Sequence, residues 1–262
     1  MNWHKIACTR QDLCLGTLLT CGQSFTWHQT SPGIWCKAFN GRIVNLSQDD
    51  SSLLWSVTTS NNNLPKKNTA TTATDDDDSQ SFELAIRDYF QLKVDLPSLY
   101  AKWGSADPNF KTVAEVEAFQ GIRILRQDPI ENLFSFICST NNHVSRIANM
   151  VNKLCSHYGL PLGSVNETEF YTFPSVDALC QPGVEETLRQ TGFGYRAKFI
   201  AKSAEMIKAK GAGWLEGLRT APYEQCIAEL TTLCGVGRKV RRKPSINLGG
   251  HQLMAGSMYR YR

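Results

Sequence analysis

The sequence lacks several features that would mark a membrane-bound or zinc-binding protein. No uncharged apolar run approaches the roughly 18 residues that a membrane-spanning helix needs. The first residues also lack the charged and then apolar layout of a signal peptide. Nine cysteines are present, but no two stand in a C-x-x-C pair, the spacing that a structural zinc site usually needs. The odd cysteine count indicates free thiols in a reducing compartment, either the cytosol or the nucleus.

The composition is that of a globular protein with one large domain or two ordinary ones. Of the 262 residues, 42% are hydrophobic and 20% are charged, which excludes a wholly disordered or collagen-like chain. The formal net charge of +4 suggests nucleic-acid binding, yet residues 238–262 hold seven Lys and Arg and no Asp or Glu. Residues 1–237 therefore carry 21 Lys and Arg against 24 Asp and Glu, so the net charge is no evidence for DNA binding.

The first hundred residues show the patterns of β-strands. Polar and apolar residues alternate over 24–28, as in a half-buried strand. Further strands are predicted over 34–39 and 42–47, joined by Asn40-Gly41, a strong hairpin signal. Residues 53–58 predict another strand, so we expect an antiparallel meander.

Residues 60–80 change composition abruptly and offer almost nothing to bury. They contain three consecutive asparagines, a Thr/Ala stretch and four consecutive aspartates. An acidic run can bind a metal, but we favour a disordered surface loop.

From Phe82 onward the hydrophobic period becomes helical. Asp128-Pro129-Ile130-Glu131 predicts a helix start, with Asp128 as N-cap and Pro129 in the first turn. The spacing of a second helix predicts a buried face with these members: Val144, Ile147, Val151 and Leu154. A sheet unit followed by a helical unit is an α+β arrangement.

Gly235-Val236-Gly237 lies between two predicted helices. A tight hairpin there could point its backbone N–H groups at an anion, such as a DNA phosphate, without reading sequence. Taken alone, a plain helix C-cap followed by a turn is the favoured interpretation of this short motif.

Six segments in order carry a family resemblance: Cys21-Gly22-Gln23-Ser24-Phe25, Tyr89-Phe90-Gln91-Leu92, Leu125-Arg126-Gln127-Asp128-Pro129-Ile130-Glu131, Phe134-Ser135-Phe136-Ile137-Cys138, residues 192–196 and the glycine hairpin. Over about residues 3–240 the sequence resembles the 8-oxoguanine DNA glycosylases of the helix-hairpin-helix superfamily. The resemblance implies a twisted antiparallel β domain over 1–120, with the loop at 60–80. A helix-hairpin-helix glycosylase domain over 121–240 and a divergent, disordered basic tail over 241–262 would follow.

The resemblance also implies an activity, namely excision of 8-oxoguanine opposite cytosine with associated AP-lyase cleavage, in base excision repair. Lys239 matches the catalytic lysine, whose neutral amine attacks C1′ and forms the Schiff base that permits β-elimination. Gly22 matches the glycine whose carbonyl accepts the N7 hydrogen of 8-oxoguanine. Without the resemblance, a phosphate contact is the favoured interpretation of Lys239. For Gly22, an ordinary turn glycine beside a strand is as well supported as the lesion-binding role.

Four further residues match those that handle the opened base pair. Asn141 matches the asparagine that fills the gap left by the flipped base, and Tyr195 matches the wedge beside the orphaned cytosine. Arg146 and Arg196 match two arginines that read that cytosine. Without the resemblance, the favoured interpretations are a helix cap for Asn141, core packing for Tyr195 and solvated charges for the two arginines.

The resemblance implies no required cofactor, no zinc and no iron–sulfur cluster. It implies a monovalent cation at the hairpin, held by the backbone carbonyls of Thr231, Leu233 and Val236. Cys234 replaces the usual proline there, and His143 stands where an asparagine is common. We expect a monomer that binds duplex DNA containing 8-oxoguanine opposite cytosine, with no membrane contact. We expect it in the nucleus, with the mitochondrion as the alternative.

The resemblance ends after Val240. The family continues with a helix and a Pro-Val-Asp-Val-His segment, whose aspartate supports the lysine. Here the chain runs Arg241-Arg242-Lys243-Pro244, and no Asp or Glu follows Glu229. We expect an incomplete second domain and little or no glycosylase activity. The alternatives are an inactive isoform that binds damaged DNA and an unstable fragment. A basic nuclear-import or nucleic-acid segment is the less favoured interpretation of the tail.

Overall fold

The computed structural model describes residues 2–58 and 75–237. The chain forms two compact units that interleave along the sequence. The first unit contains residues 1–23, 27–126 and 162–170, and the second contains residues 24–26, 127–161 and the chain from 171 onward. Among the described helices, none combines the length and the apolar character needed to cross a membrane.

The first unit is built on a five-stranded antiparallel sheet in the order β1-β5-β4-β3-β2. Its strands are β1 (His4–Ala7), β2 (His28–Ser31), β3 (Ile34–Phe39), β4 (Arg42–Gln48) and β5 (Ser52–Thr58). The meander predicted for β3, β4 and β5 is confirmed. Asn40 and Gly41 have φ values of 48° and 75°, the left-handed pair that a tight two-residue hairpin needs. Strand β1 was not predicted.

The strand predicted over 24–28 is wrong over most of its length, because only His28 lies in β2. Residues 24–26 belong to the second unit, where Phe25 is buried and its ring meets the Phe136 ring edge-on at 5.8 Å. The Thr26 hydroxyl donates to a Glu131 carboxylate oxygen at 2.7 Å. The alternating pattern therefore reflects burial of one side chain against a helix rather than strand pairing.

Four helices and one short 3₁₀ helix complete the main part of the first unit: α1 (Leu15–Thr20), α2 (Asp75–Tyr89), α3 (Leu96–Ala106), α4 (Pro108–Ala114) and the 3₁₀ helix Glu117–Phe119. The loop predicted over 60–80 is wrong at its end, because residues 75–80 open α2. Acidic residues are favoured at a helix N-terminus, and Asp78 also pairs with Arg42 at 2.7 Å. The rest of the predicted loop, residues 60–74, lies outside the described residues.

A small two-stranded sheet also belongs largely to the first unit. It consists of β6 (Pro161–Val165) and β7 (Thr168–Tyr171), joined by Asn166 and Glu167 at φ values of 46° and 66°. Its apolar side chains form a cluster with those of the large sheet, with the members Cys36, Ile43, Leu162, Val165 and Phe170. This hairpin was not predicted, because its first strand has no run of β-branched residues.

The second unit is helical: α5 (Pro129–Cys138), α6 (Val144–Tyr158), α7 (Val176–Leu179), α8 (Val184–Gln190), α9 (Arg196–Lys210), α10 (Trp214–Gly217) and α11 (Tyr223–Thr231). The predicted helix start is confirmed, since the Asp128 carboxylate accepts the Glu131 N–H at 2.9 Å. Ile147, Val151 and Leu154 are buried as predicted, but Val144 is exposed because it stands at the very start of α6. The α+β class is confirmed.

Candidate functional site

The loop between α5 and α6 presents Asn141 to solvent. Asn141 has a φ of 48°, which an asparagine tolerates better than most residues. Its neighbour Asn142 anchors the loop, because its amide donates to the Cys138 carbonyl at 3.1 Å and lies 3.3 Å from the Met150 sulfur. The Asn141 side chain forms no hydrogen bond within the described residues. The exposed amide is therefore available to a ligand.

The N-terminus of α9 contacts this same loop. The Tyr195 hydroxyl donates to the Thr140 carbonyl at 3.2 Å, and Arg196 Nη2 donates to the carbonyls of Thr140 and Asn141. The Arg196 carbon Cζ lies 4.6 Å from the centre of the Tyr195 ring. Sequence reasoning missed Thr140, because a backbone carbonyl that serves as acceptor leaves no residue-type signal.

Arg196 and Tyr195 differ sharply in exposure. Arg196 is 5% exposed and Tyr195 is 47% exposed. A buried guanidinium needs acceptors, and two backbone carbonyls supply part of that need. Among the described residues its Nε has no hydrogen-bond partner, so the group retains a free donor. The loop and α9 thus place a fixed cation beside an exposed aromatic ring.

The glycine hairpin packs against α9 one turn further along. Gly235 has a φ of 82°, and a Cβ there would lie 2.7 Å from the Phe199 ring. The Ser203 hydroxyl donates to the Cys234 carbonyl at 2.7 Å. The Phe199 ring meets the Tyr195 ring at 5.6 Å. Helix α9 therefore connects the Asn141 loop to the hairpin through contiguous contacts, and Phe199 and Ser203 are residues that sequence reasoning missed.

Gly22 lies in the first unit, in a bend with a φ of 78°. The next residue, Gln23, holds this bend from inside the protein. Its amide donates to the Arg123 carbonyl at 2.8 Å and accepts the Leu125 N–H at 3.2 Å. Gln23 was missed as a positioning residue, although it lies inside one of the segments that carried the resemblance.

Two predicted residues from the second half of the chain are not brought into the cluster around α9. Arg146 is exposed in the first turn of α6, and within the described part of the chain it forms no ion pair or hydrogen bond. Lys239 lies outside the described residues, so its predicted role stays a prediction.

The described residues contain no group of three or more His, Cys, Asp or Glu that could hold a metal ion. The predicted cation ligands are backbone carbonyls at the end of α11 and in the hairpin. The Leu233 carbonyl accepts the Val236 N–H at 3.3 Å and retains a second lone pair. Thr231 ends α11, where carbonyls lack intrahelical partners. The monovalent cation at these carbonyls stays a prediction.

Cys138, at the end of α5, is not an activated nucleophile. It is fully buried, and burial raises the pKa of its thiol to about 12. A thiol with such a pKa stays protonated at neutral pH, and the thiolate is the reactive form. The chemistry of this cluster therefore does not run through Cys138.

Two family models match consecutive parts of the chain. Residues 5–133 match the N-terminal domain of 8-oxoguanine DNA glycosylase. Residues 134–252 match the HhH-GPD superfamily of base excision DNA repair proteins.

Two curated relatives are similar over most of the chain. N-glycosylase/DNA lyase OGG1 of Arabidopsis thaliana is 35% identical over 244 residues, which is 91% of this chain and 61% of the relative. The N-glycosylase/DNA lyase of Saccharomyces cerevisiae is 33% identical over 249 residues, 91% of this chain and 64% of the relative. The chain thus spans less than two thirds of the length of either relative.

Two solved structures share the fold. MBOgg1 in complex with a low-affinity DNA ligand has a TM-score of 0.75 at 28% identity, covering 94% of this chain and 79% of that one. The 8-oxoguanine glycosylase/lyase of Clostridium acetobutylicum, in complex with double-stranded DNA containing cytosine opposite 8-oxoguanine, has a TM-score of 0.73 at 26% identity. That match covers 90% of this chain and 72% of the other.

Proposed function

Because the chain belongs to the 8-oxoguanine DNA glycosylase family, we propose that it excises 8-oxoguanine opposite cytosine from duplex DNA and cleaves the resulting abasic site. The observation that carries this proposal is the arrangement around α9. Tyr195 and Arg196 contact the Asn141 loop, and Phe199 of the same helix packs on the glycine hairpin. The DNA complex of the Clostridium acetobutylicum enzyme supports the choice of lesion and opposite base.

The cluster suits an enzyme that turns a base out of the duplex. Extruding a base costs a few kcal/mol of stacking and pairing, and inserted side chains offset part of that cost. Asn141, with its free amide, fills the vacated place, and the exposed Tyr195 ring wedges beside the orphaned cytosine. Arg196 supplies a donor pattern that matches acceptors on a base edge, because carbonyl contacts hold its guanidinium in one orientation. Exposed Arg146 contributes a second donor to the same base.

The remaining parts of the proposal concern the lesion and the chemistry. The carbonyl of Gly22 accepts the N7 hydrogen of the lesion. The neutral Lys239 amine forms a bond to C1′ as the bond from C1′ to the base breaks. Opening of the sugar then gives a Schiff base, and loss of a C2′ proton expels the 3′ phosphate by β-elimination. Backbone N–H groups of the Gly235–Gly237 hairpin bind a phosphate, and a monovalent cation is held by the carbonyls behind them.

Borohydride trapping tests this proposal directly. The full chain would be incubated with a duplex carrying 8-oxoguanine opposite cytosine, and with an undamaged duplex of the same sequence. We expect a covalent protein–DNA adduct on the damaged duplex alone, together with released 8-oxoguanine. The Lys239→Gln variant should form no adduct, because the Schiff base that borohydride reduces forms at the Lys239 amine in this proposal.

The competing function is binding of damaged DNA without excision, and the little or no glycosylase activity expected from the sequence favours this competitor. That function predicts selective binding of the damaged duplex with no adduct and no released base. The affinity of the chain for the damaged duplex would fall in Lys239→Gln by no more than the loss of one positive charge explains. Absence of both adduct and selective binding would contradict both functions.

A further inference from the structure

The four lysines of helix α9 fall into two groups. Lys208 pairs with Asp177 at 2.8 Å, and Lys210 pairs with Glu229 at 2.8 Å. Lys198 and Lys202 are exposed, and neither forms an ion pair or side-chain hydrogen bond with any described residue. The described part of α9 thus carries two unneutralised positive charges in its first half.

These two lysines share a face with the exposed tyrosine. Tyr195, Lys198 and Lys202 stand at positions i, i+3 and i+7, which places them along one side of the helix. Four residues of helix separate the two lysines by about 6 Å along the axis. We refer to Tyr195, Lys198 and Lys202 as the α9 stripe.

The α9 stripe lies next to the face of α9 that contacts the hairpin. Phe199, which follows Lys198 directly, packs against Gly235, and Ser203, which follows Lys202, donates to the Cys234 carbonyl. Each lysine therefore precedes a residue that contacts the hairpin. Lys208 lies nine residues after Phe199, two and a half turns, so it points away from the side of α9 that contacts the hairpin.

Stability does not account for this placement. Lysines four residues apart repel one another, and a cation in the first turn of a helix opposes the helix dipole. The first turn of α9 contains no acidic residue to compensate, and Glu205 forms no ion pair with Lys202. The described part of the chain also lies within residues 1–237, in which Asp and Glu outnumber Lys and Arg. A basic stripe within a part of the chain that has an acidic excess indicates a polyanionic partner.

We propose that Lys198 and Lys202 bind backbone phosphates of duplex DNA next to the phosphate held by the Gly235–Gly237 hairpin. This inference rests on the proposed DNA-binding function and extends its contact surface along α9. The contacts are with phosphates, so they strengthen binding without selecting a base sequence or a lesion.

The salt dependence of DNA binding tests the inference. Affinity of the full chain for a labelled duplex would be measured by fluorescence anisotropy across a salt series, with and without 8-oxoguanine opposite cytosine. Each phosphate contact contributes about 0.9 to the slope of log K against log salt. Lys198→Gln and Lys202→Gln should each lower the slope by about that amount on both duplexes. The ratio of the wild-type DNA affinity to the Lys202→Gln affinity should then fall about 3.5-fold between 50 and 200 mM salt.

Two matched variants separate a phosphate contact from a general loss of charge. Lys208→Gln removes the same charge from a position that faces away from the hairpin and is already paired with Asp177, so it should leave the slope unchanged. Lys202→Arg keeps the charge and should retain the wild-type slope. Equal melting temperatures across the set would show that the slopes report binding.

The outcomes distinguish this inference from the function on which it rests. If the wild type binds neither duplex, the proposed function and the inference fall together. If the wild type binds and the slopes of Lys198→Gln and Lys202→Gln equal that of Lys208→Gln, the inference alone is overturned.

Discussion

Gly235→Ala is the sharpest perturbation of the candidate site. Gly235 has a φ of 82°, in the left-handed region that an alanine rarely adopts. The added Cβ would also stand 2.7 to 2.8 Å from three atoms of Phe199. Either the Phe199 ring or the hairpin must move, and both belong to the connection between α9 and the hairpin.

The expected loss of stability has two parts. Holding an alanine in the left-handed conformation costs about 1–2 kcal/mol. Crowding a packed side chain costs about 1–3 kcal/mol. The sum is about 2–5 kcal/mol, which corresponds to a fall in melting temperature of about 4–20 °C for a chain of this size. DNA affinity should fall as well, because the hairpin N–H groups move from their positions.

Urea unfolding and thermal melting measure the stability change, with Gly237→Ala as the matched control. A Cβ at Gly237 would meet no atom of the described residues within 4 Å, and its φ lies outside the left-handed region. We expect that control to change stability by less than about 0.5 kcal/mol. In a Phe199→Ala background the two ring contacts disappear and the contact with the residue's Cβ at 2.8 Å stays, so Gly235→Ala should cost less than in the wild type but more than the conformational part of about 1–2 kcal/mol.

Two results would refute this reasoning. Equal stability of Gly235→Ala and Gly237→Ala would show that the hairpin is not tightly packed on α9. An undiminished cost of Gly235→Ala in the Phe199→Ala background would show that the ring is not what the new methyl group meets.

Three further predictions follow from the described contacts. Gln23→Ala leaves the buried Arg123 carbonyl without its donor, so we expect a loss of about 1–3 kcal/mol in urea unfolding and weaker discrimination of 8-oxoguanine from guanine in binding assays. Arg196→Lys keeps the charge but loses the planar donor set that contacts Thr140, so preference for cytosine opposite the lesion should fall while binding of undamaged duplex changes little. Burial raises the pKa of Cys138 from 9.0 to about 12, so the unfolded chain releases this proton at lower pH than the folded one. Stability should therefore decline as pH rises from about 9 towards 12, by up to about 1.4 kcal/mol per pH unit, and Cys138→Ala should show a shallower decline in urea titrations across that range.

Short sequence motifs correctly predicted the turn and the helix start, which depend only on neighbouring residues. The Asn40-Gly41 turn and the Asp128 cap were both evident, because each depends on backbone conformation within about four residues. The same kind of signal failed at residues 24–28, where Phe25 packs into a core built from distant helices. An alternating pattern reports that side chains are alternately buried, and does not report what buries them.

The candidate site shows the same division. Its residue types were identified from sequence segments, in agreement with the family models that match the chain. Residue types alone did not reveal that the Thr140 carbonyl accepts hydrogen bonds from both Tyr195 and Arg196, more than fifty residues away. A backbone acceptor has no side-chain signature, so only the packing of α9 on the preceding loop identifies it.

The sequence by itself determined the family, the α+β class and the residue types available for binding and chemistry. Tertiary structure alone decided which charges are buried, which are paired and which face outwards. It buries Arg196 against carbonyls, neutralises Lys208 and Lys210, and leaves Lys198 and Lys202 open to solvent. The physical reason is that the energy of a charge depends on its partners and its exposure to water, and distant parts of the chain supply both.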